Sequence, residues 1–316
     1  MPSLRVVLGT AAVTLGLLAL AAPAHAAPPA LPEGDQLVAS SCDNAFEDLT
    51  LFGVDSETGA STELASTEEA YCGYQGAWDR TTDTFYFTAW DSPVSVLFSY
   101  DPATGVITEI GDVVAEPANP NPYALVIDLE GNAYFNWGVE LFSLDLTSGE
   151  ATALGELAAL DDDGYGFSVD PATGDLYLLQ EDGELFVIDP AAVTATSVAT
   201  WTFSATGSST WGLAIDRAGT AWVVENPGVD GAYSALYSTP LATFGVAPEF
   251  SGNLIATEAD AGYSGWWVAL IPGAEPAPAP APQLAATGVD VTPVIVIAGM
   301  LGLAGLVLVA SRRRAA

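Results

Sequence analysis

The 316-residue chain contains no lysine, one histidine (His25) and six arginines. Arg5, Arg312, Arg313 and Arg314 sit at its extremities, so the stretch from Ala27 to Thr287 has only Arg80 and Arg217 as cations. These absences exclude whole reaction classes. Without histidine that stretch holds no Ser-His-Asp triad and no Cys-His pair, and without lysine it forms no Schiff base. A zinc or iron site built on imidazole is excluded as well. Nucleic acid is excluded as a partner, because two arginines cannot neutralise a phosphate backbone.

Basic residues are scarce and acidic ones abundant. Of the forty Asp and Glu residues all but Asp290 lie between Ala27 and Thr287. So acidic a surface stays soluble and draws cations or basic ligands. It also suits divalent ions, which take oxygen ligands. The plainer reading is a solvated acidic coat on an exported protein.

Both ends of the chain carry targeting signals. Residues 1–26 read as a signal peptide: Arg5, an apolar stretch from Val6 to Ala22, and the small-x-small site Ala24-His25-Ala26. Residues 27–35 are a short N-terminal segment. At the other end, Pro293 precedes an apolar run from Val294 to Ala310. A helix over 293–311 rises about 1.5 Å per residue and nearly crosses a hydrocarbon core of about 30 Å. The basic tail, 312–316, is then held in the cytoplasm. Gly299, Gly302 and Gly305 recur at intervals of three, either as a close helix contact or as small residues of a transient span.

Immediately before that span lies Leu284-Ala285-Ala286-Thr287-Gly288. Motif, apolar run and arginines in this order resemble the cell-wall sorting signal of Gram-positive surface proteins. In that family a sortase cleaves between Thr and Gly and joins the Thr carbonyl to a cell-wall amine. Ala285 stands where the family has Pro, and Leu-Ala-x-Thr-Gly resembles the variant read by class E sortases of actinobacteria. The resemblance implies a membrane-held precursor, a sortase partner, and attachment to peptidoglycan through Thr287. In such an oxidising exterior the only two cysteines, Cys42 and Cys72, are expected to form a disulfide.

Between the ends the sequence repeats. Leu51-Phe52, Leu97-Phe98, Leu141-Phe142, Leu185-Phe186 and Leu236-Tyr237 place an aromatic at spacings of 46, 44, 44 and 51 residues. A second unit interleaves with this one: Trp78-Asp79, Ile127-Asp128, Val169-Asp170 and Ile215-Asp216, each followed by a turn and an aromatic strand. Alternating Val, Ile, Phe, Tyr and Trp mark strands, and Asp101-Pro102-Ala103-Thr104-Gly105 is turn chemistry. Two hairpins make a blade of about 45 residues, the period of β-propellers. The expected fold is therefore all-β: a five-bladed β-propeller over 36–273, plus the C-terminal transmembrane helix. Four blades begin near Gly76, Tyr123, Gly166 and Gly212. The fifth is closed by both chain ends, with 36–65 giving three strands and the Gly262–Trp267 stretch the innermost. A Pro/Ala linker over 274–283 then acts as a stalk.

Aspartates 55, 79, 101, 128, 145, 170, 189 and 216 stand at turn starts, which makes them turn caps before ligands. Candidate binding residues lie where each inter-blade loop enters an innermost strand: Tyr74, Tyr123, Tyr165, Trp211 and Tyr263. Such a collar either packs the axis or stacks on a ligand, a glycan or a protein. Asp161, Asp162 and Asp163 are the candidate segment for Ca²⁺, although no EF-hand spacing is present. The leading functional reading is a wall-anchored module that binds an extracellular ligand or partner. The alternative is a hydrolase on the same scaffold, glycosidase-like with paired carboxylates or lactonase-like with a central metal.

Overall fold

The computed structural model describes residues 34–273 apart from 41–48, 69–71, 92, 117–118, 162, 205, 227–233, 247–248 and 254–266. The expected signal peptide, linker, sorting motif and membrane helix lie outside the described residues, as do Cys42 and the side chain of Cys72. Among the described residues no helix is long and apolar enough to cross a membrane.

Five antiparallel sheets form a five-bladed β-propeller. Blade 1 comprises β4 (Cys72–Gly73) and β5 (Ala77–Asp79), both pairing with β6 (Thr84–Asp91), then β7 (Val94–Asp101) and β8 (Val106–Asp112). Blade 2 runs through β9 (Leu125–Ile127), β10 (Ala133–Trp137), β11 (Glu140–Leu144) and β12 (Ala151–Glu156). Blade 3 holds β13 (Gly164–Val169), β14 (Leu176–Gln180), β15 (Glu184–Asp189) and β16 (Thr194–Thr200). Blade 4 holds β17 (Ser209–Ile215), β18 (Thr220–Asn226), β19 (Ala235–Pro240) and β20 (Glu249–Asn253).

The fifth blade takes strands from both ends of the chain, in the order β21 (Trp267–Ile271), β1 (Gln36–Ser40), β2 (Leu49–Val54), β3 (Ser61–Thr67). The seam is the antiparallel pairing of β1 with β21, from Gln36↔Ile271 to Ser40↔Trp267. An ion pair reinforces it. Asp35, just before β1, meets Arg217 Nη2 at 2.5 Å and accepts the Gly273 N–H at 2.8 Å, just after β21. The Asp35 side chain is wholly buried, so one of the two arginines between Ala27 and Thr287 is used to fasten the ring.

The apolar residues of each sheet are buried against the next sheet, which is why no blade is stable alone. Five clusters fill the five seams. The repeated aromatics sit in them: Phe87 stacks on Phe98 at 5.5 Å and Phe135 on Phe142 at 5.0 Å, all four buried. Full burial of each such ring contributes about 1.5–3 kcal/mol. In every blade the ladder between third and fourth strands slips at the Leu–aromatic step, from Leu51/Phe52 to Leu236/Tyr237. This recurrent bulge twists the outermost strand.

All eight repeat aspartates cap turns. Asp101 accepts the Ala103 N–H and the Thr104 hydroxyl, and Asp170 accepts the same pair from Ala172 and Thr173. Asp55, Asp79, Asp128, Asp145, Asp189 and Asp216 do likewise in their own turns. Gly59, Gly105, Gly149 and Gly174 close four of these turns at positive φ. Val193 occupies that place in blade 3 at φ 52, a costly conformation for a β-branched residue. It packs into the seam between blades 2 and 3.

Candidate functional site

The innermost strands run side by side along the axis, and an aromatic residue lies at or close to the start of each. These rings form a closed circuit. Centroids lie 5.3 Å apart for Tyr74–Tyr123, 4.8 Å for Tyr123–Tyr165 and 5.8 Å for Tyr165–Trp211. Trp211–Trp267 at 5.4 Å and Trp267–Tyr74 at 5.3 Å complete it. Four expected members are therefore brought together. The fifth place belongs to Trp267, and Tyr263 lies outside the described residues. The sequence held a signal for this. Tyr74, Tyr123, Tyr165 and Trp211 each precede a turn aspartate by five residues, and Trp267 precedes Pro272, which follows β21, by five.

Four of the rings lie at shallow mutual angles, 29°, 18° and 35° along the series from Tyr123 to Trp267. Tyr74 stands edge-on to both neighbours, at 84° and 90°. Tyr74 and Trp267 are buried, while Tyr123, Tyr165 and Trp211 are half-buried and present surface. Burial, partly offset by a hydrogen bond with Asn121, raises the Tyr74 phenol above the ordinary tyrosine range.

The loops that carry the rings are tied to the preceding blade. Ser40 Oγ donates to the Tyr74 carbonyl at 3.4 Å and Thr88 Oγ1 to that of Pro122 at 3.1 Å. Thr210, beside Trp211, donates to the Gln180 carbonyl. Glu225, buried at the end of β18, accepts from Trp201 Nε1 at 3.2 Å and from the backbone and hydroxyl of Ser204. These bonds fix the loops and hence the collar.

Directly behind the collar the axis is filled. Gln75 reaches across from blade 1. Its Nε2 donates to the Phe167 carbonyl at 2.8 Å and the Leu213 carbonyl at 2.7 Å, and its Oε1 accepts both N–H groups at 3.3 Å. The amide thus bridges β13 and β17 as a peptide unit would. Sequence reasoning missed this residue. The available signal is that blades 2 to 5 have Ala124, Gly166, Gly212 and Val268 where blade 1 has glutamine. Those glycines are obligatory: a Cβ on Gly166 would come 2.8 Å from the Leu213 nitrogen, and one on Gly212 2.8 Å from that of Val268.

The opposite mouth of the axis is a depression of about 40 Å³ lined by residues such as Ala77, Val126, Ser168, Ile215 and Arg80, with no carboxylate in its wall. Among the described residues no group of three or more His, Cys, Asp or Glu side chains is placed to hold a metal ion. Asp161 is exposed, Asp163 accepts the Gly138 N–H at 2.5 Å and so caps the β10–β11 turn, and Asp162 lies outside the described residues. A larger hollow opens on the collar side. It has a volume of about 410 Å³ and is lined by Trp211, Ser208, Ser209, Gly207, Glu181, Asp182 and Asn226. Trp211 Nε1 donates to Ser209 Oγ at 2.7 Å, which sets the indole in the wall.

No family model and no curated protein matches the chain. Among solved structures it is similar to a chain of a nidogen/laminin complex, at 10% identity, over 76% of this chain and 99% of that one, with a TM-score of 0.49. It is also similar to TolB from Acinetobacter baumannii, at 13% identity and a TM-score of 0.45, over 72% of this chain and 54% of that one. The chain thus spans about half of that TolB chain. The five sheets themselves make the described residues a five-bladed propeller.

Proposed function

We propose that this propeller is an exported, wall-anchored binding module that engages an extracellular ligand, a glycan or a protein, in the hollow beside Trp211. The observation that carries the reading is the pairing of a half-buried indole with a hollow of about 410 Å³ whose other walls are hydroxyl, amide and carboxylate groups. Binding sites combine an aromatic platform with a few polar groups that fix orientation in this way. The axis supports the same assignment. It is filled by Gln75, and a hydrolase using paired central carboxylates or a central metal finds no such group among its described lining residues.

Support for the anchor comes from residues 284–314: the Leu-Ala-Ala-Thr-Gly motif, the apolar run, and the arginines in sorting-signal order. The linker then sets the module off the peptidoglycan. Two experiments test the two halves separately. The full chain is screened for binding to immobilised glycans and to proteins from its surroundings. Loss of binding in Trp211→Ala with an unchanged melting temperature supports the hollow, and retained binding in that variant removes it. For the anchor, Thr287→Ala is expected to leave the protein membrane-held or shed. Normal covalent attachment of that variant to the wall would end the sorting assignment.

A further inference from the structure

An antiparallel sheet with an exposed edge invites pairing by another strand, and charged side chains along the edge normally prevent it. In this propeller each blade ends in such an edge. Four of the five outermost strands carry acid: Glu63 in β3, Glu109 and Asp112 in β8, Glu156 in β12 and Glu249 in β20. The exception is β16, which reads Thr194-Ala195-Thr196-Ser197-Val198-Ala199-Thr200 and has no charge. It is the end strand of its sheet, and Val198, the extra residue of its bulge, is 50% exposed.

The strand is also its own complement. Reversed about Ser197, it sets Thr194 opposite Thr200, Ala195 opposite Ala199, and Thr196 opposite the nearly isosteric Val198. A two-fold interface requires this, because the same patch must fit itself. Cross-strand Thr–Thr and β-branched pairs are favourable, and like charges directly opposite are not. On β8 the reversed edge would set Glu109 opposite its own copy.

We propose that β16 is a homotypic contact, pairing antiparallel with β16 of a second copy of this chain about a two-fold axis at Ser197. The contact is weak in dilute solution, since one strand pair buries far less than the roughly 1,200–2,000 Å² of a stable interface. Chains tethered on one surface raise the local concentration and compensate. The carboxylate nearest the axis is Glu184 of β15, which accepts the Ser197 hydroxyl. Its repulsion with its copy, on top of the chain's overall acidity, makes the contact strengthen as salt screens charge.

The test is disulfide trapping of the full chain in mild detergent at high ionic strength, with Ser197→Cys as reporter and Val106→Cys on the edge of β8 as control. Both share the same apolar tail, so association through the tail cancels. Ser197→Cys is expected to give several-fold more reducible dimer than the control, and Thr196→Glu added to it to return trapping to the control level. Equal trapping by the two cysteines, or trapping unaffected by Thr196→Glu, overturns the proposal. Should the cysteine variant fail to fold, sedimentation of the unmodified chain decides. Association that rises with salt and is lost in Thr196→Glu upholds the contact, and a profile identical in the two chains removes it.

Discussion

At one end of the propeller axis five aromatic rings touch in a closed circuit beside an open hollow; at the other, a buried carboxylate, an arginine and a backbone amide fasten the first and last strands of the propeller together. Gln75 lies between, its amide bonded into two blades. The two ends therefore do different work. The fastening sits away from the collar, so the collar-side loops are free to vary without opening the ring. The separation is broken if damage at one end is felt at the other.

The largest effect is expected at the fastening. Arg217→Ala leaves Asp35 wholly buried without its cation, and removing one partner of a buried pair costs about 3–5 kcal/mol. The guanidinium has some exposure, so the lower part of that range is expected. Denaturant unfolding should show a midpoint shift of that size. An Arg217→Ala chain as stable as the parent would mean that strand pairing between β1 and β21 closes the ring unaided.

Next comes Gln75→Ala, which strips partners from two carbonyls and two N–H groups on the axis and leaves a void. About 2–4 kcal/mol is expected from unsatisfied groups and cavity together. Gln75→Glu sharpens the reading. It keeps the shape but supplies no donor to the Phe167 and Leu213 carbonyls, so it should also destabilise. If Gln75→Glu is neutral, the amide acts only as filler.

Gly212→Ala should cost less, about 1–3 kcal/mol, because its Cβ falls 2.8 Å from the Val268 nitrogen and forces β17 away from β21. This position lies next to Trp211 in sequence. It is where a packing change is expected to reach the collar, so near-ultraviolet circular dichroism of the ring aromatics should change together with the melting temperature. An unchanged aromatic signal would show the collar to be insulated from the strands beneath it.

How much of this was legible beforehand differs between the two ends for a physical reason. The blades are a local, periodic pattern, and the Leu-Phe and Asp-turn repeats placed four of the five collar aromatics and all eight turn caps correctly. The likeness of Gly262-Tyr263-Ser264-Gly265-Trp266-Trp267 to Gly73-Tyr74-Gln75-Gly76-Ala77-Trp78 points to Tyr263, which lies outside the described residues, whereas the five-residue count to the turn points to Trp267, the ring that closes the circuit. The Asp35–Arg217 pair joins positions 182 residues apart, and Gln75 reaches Leu213 across 138. No repeat encodes a contact made once: closure of the fifth blade by both ends is legible in the likeness of 262–267 to 73–78, but the ion pair that fastens it and the filling of the axis become visible only when the ring is assembled. The hollow beside Trp211 is likewise a property of loops from adjacent blades, not of any one motif.

The smallest individual effects belong to the turn caps, which decorate the faces of the propeller rather than its axis. Hydroxyls of Thr58, Thr104 and Thr147, followed by backbone N–H groups, hold the carboxyls of Asp55, Asp101 and Asp145 below the ordinary aspartate range. A carboxyl whose pKa is depressed on folding adds stability that is complete above its unfolded value of about 3.9 and is lost as pH falls through the folded value. Mutual repulsion among thirty-nine acids acts in the opposite sense, easing as they protonate. Stability is therefore expected to rise on acidification from neutral pH towards about 5, and to fall once the caps protonate below about 4. Thermal melts across pH check both arms. In a chain carrying Asp55→Asn, Asp101→Asn and Asp145→Asn the acid-side fall should become shallower while the rise persists, because the amide oxygens still accept the turn hydrogen bonds made to Oδ1 and do not titrate. If the fall is unchanged, acid lability lies outside these three caps.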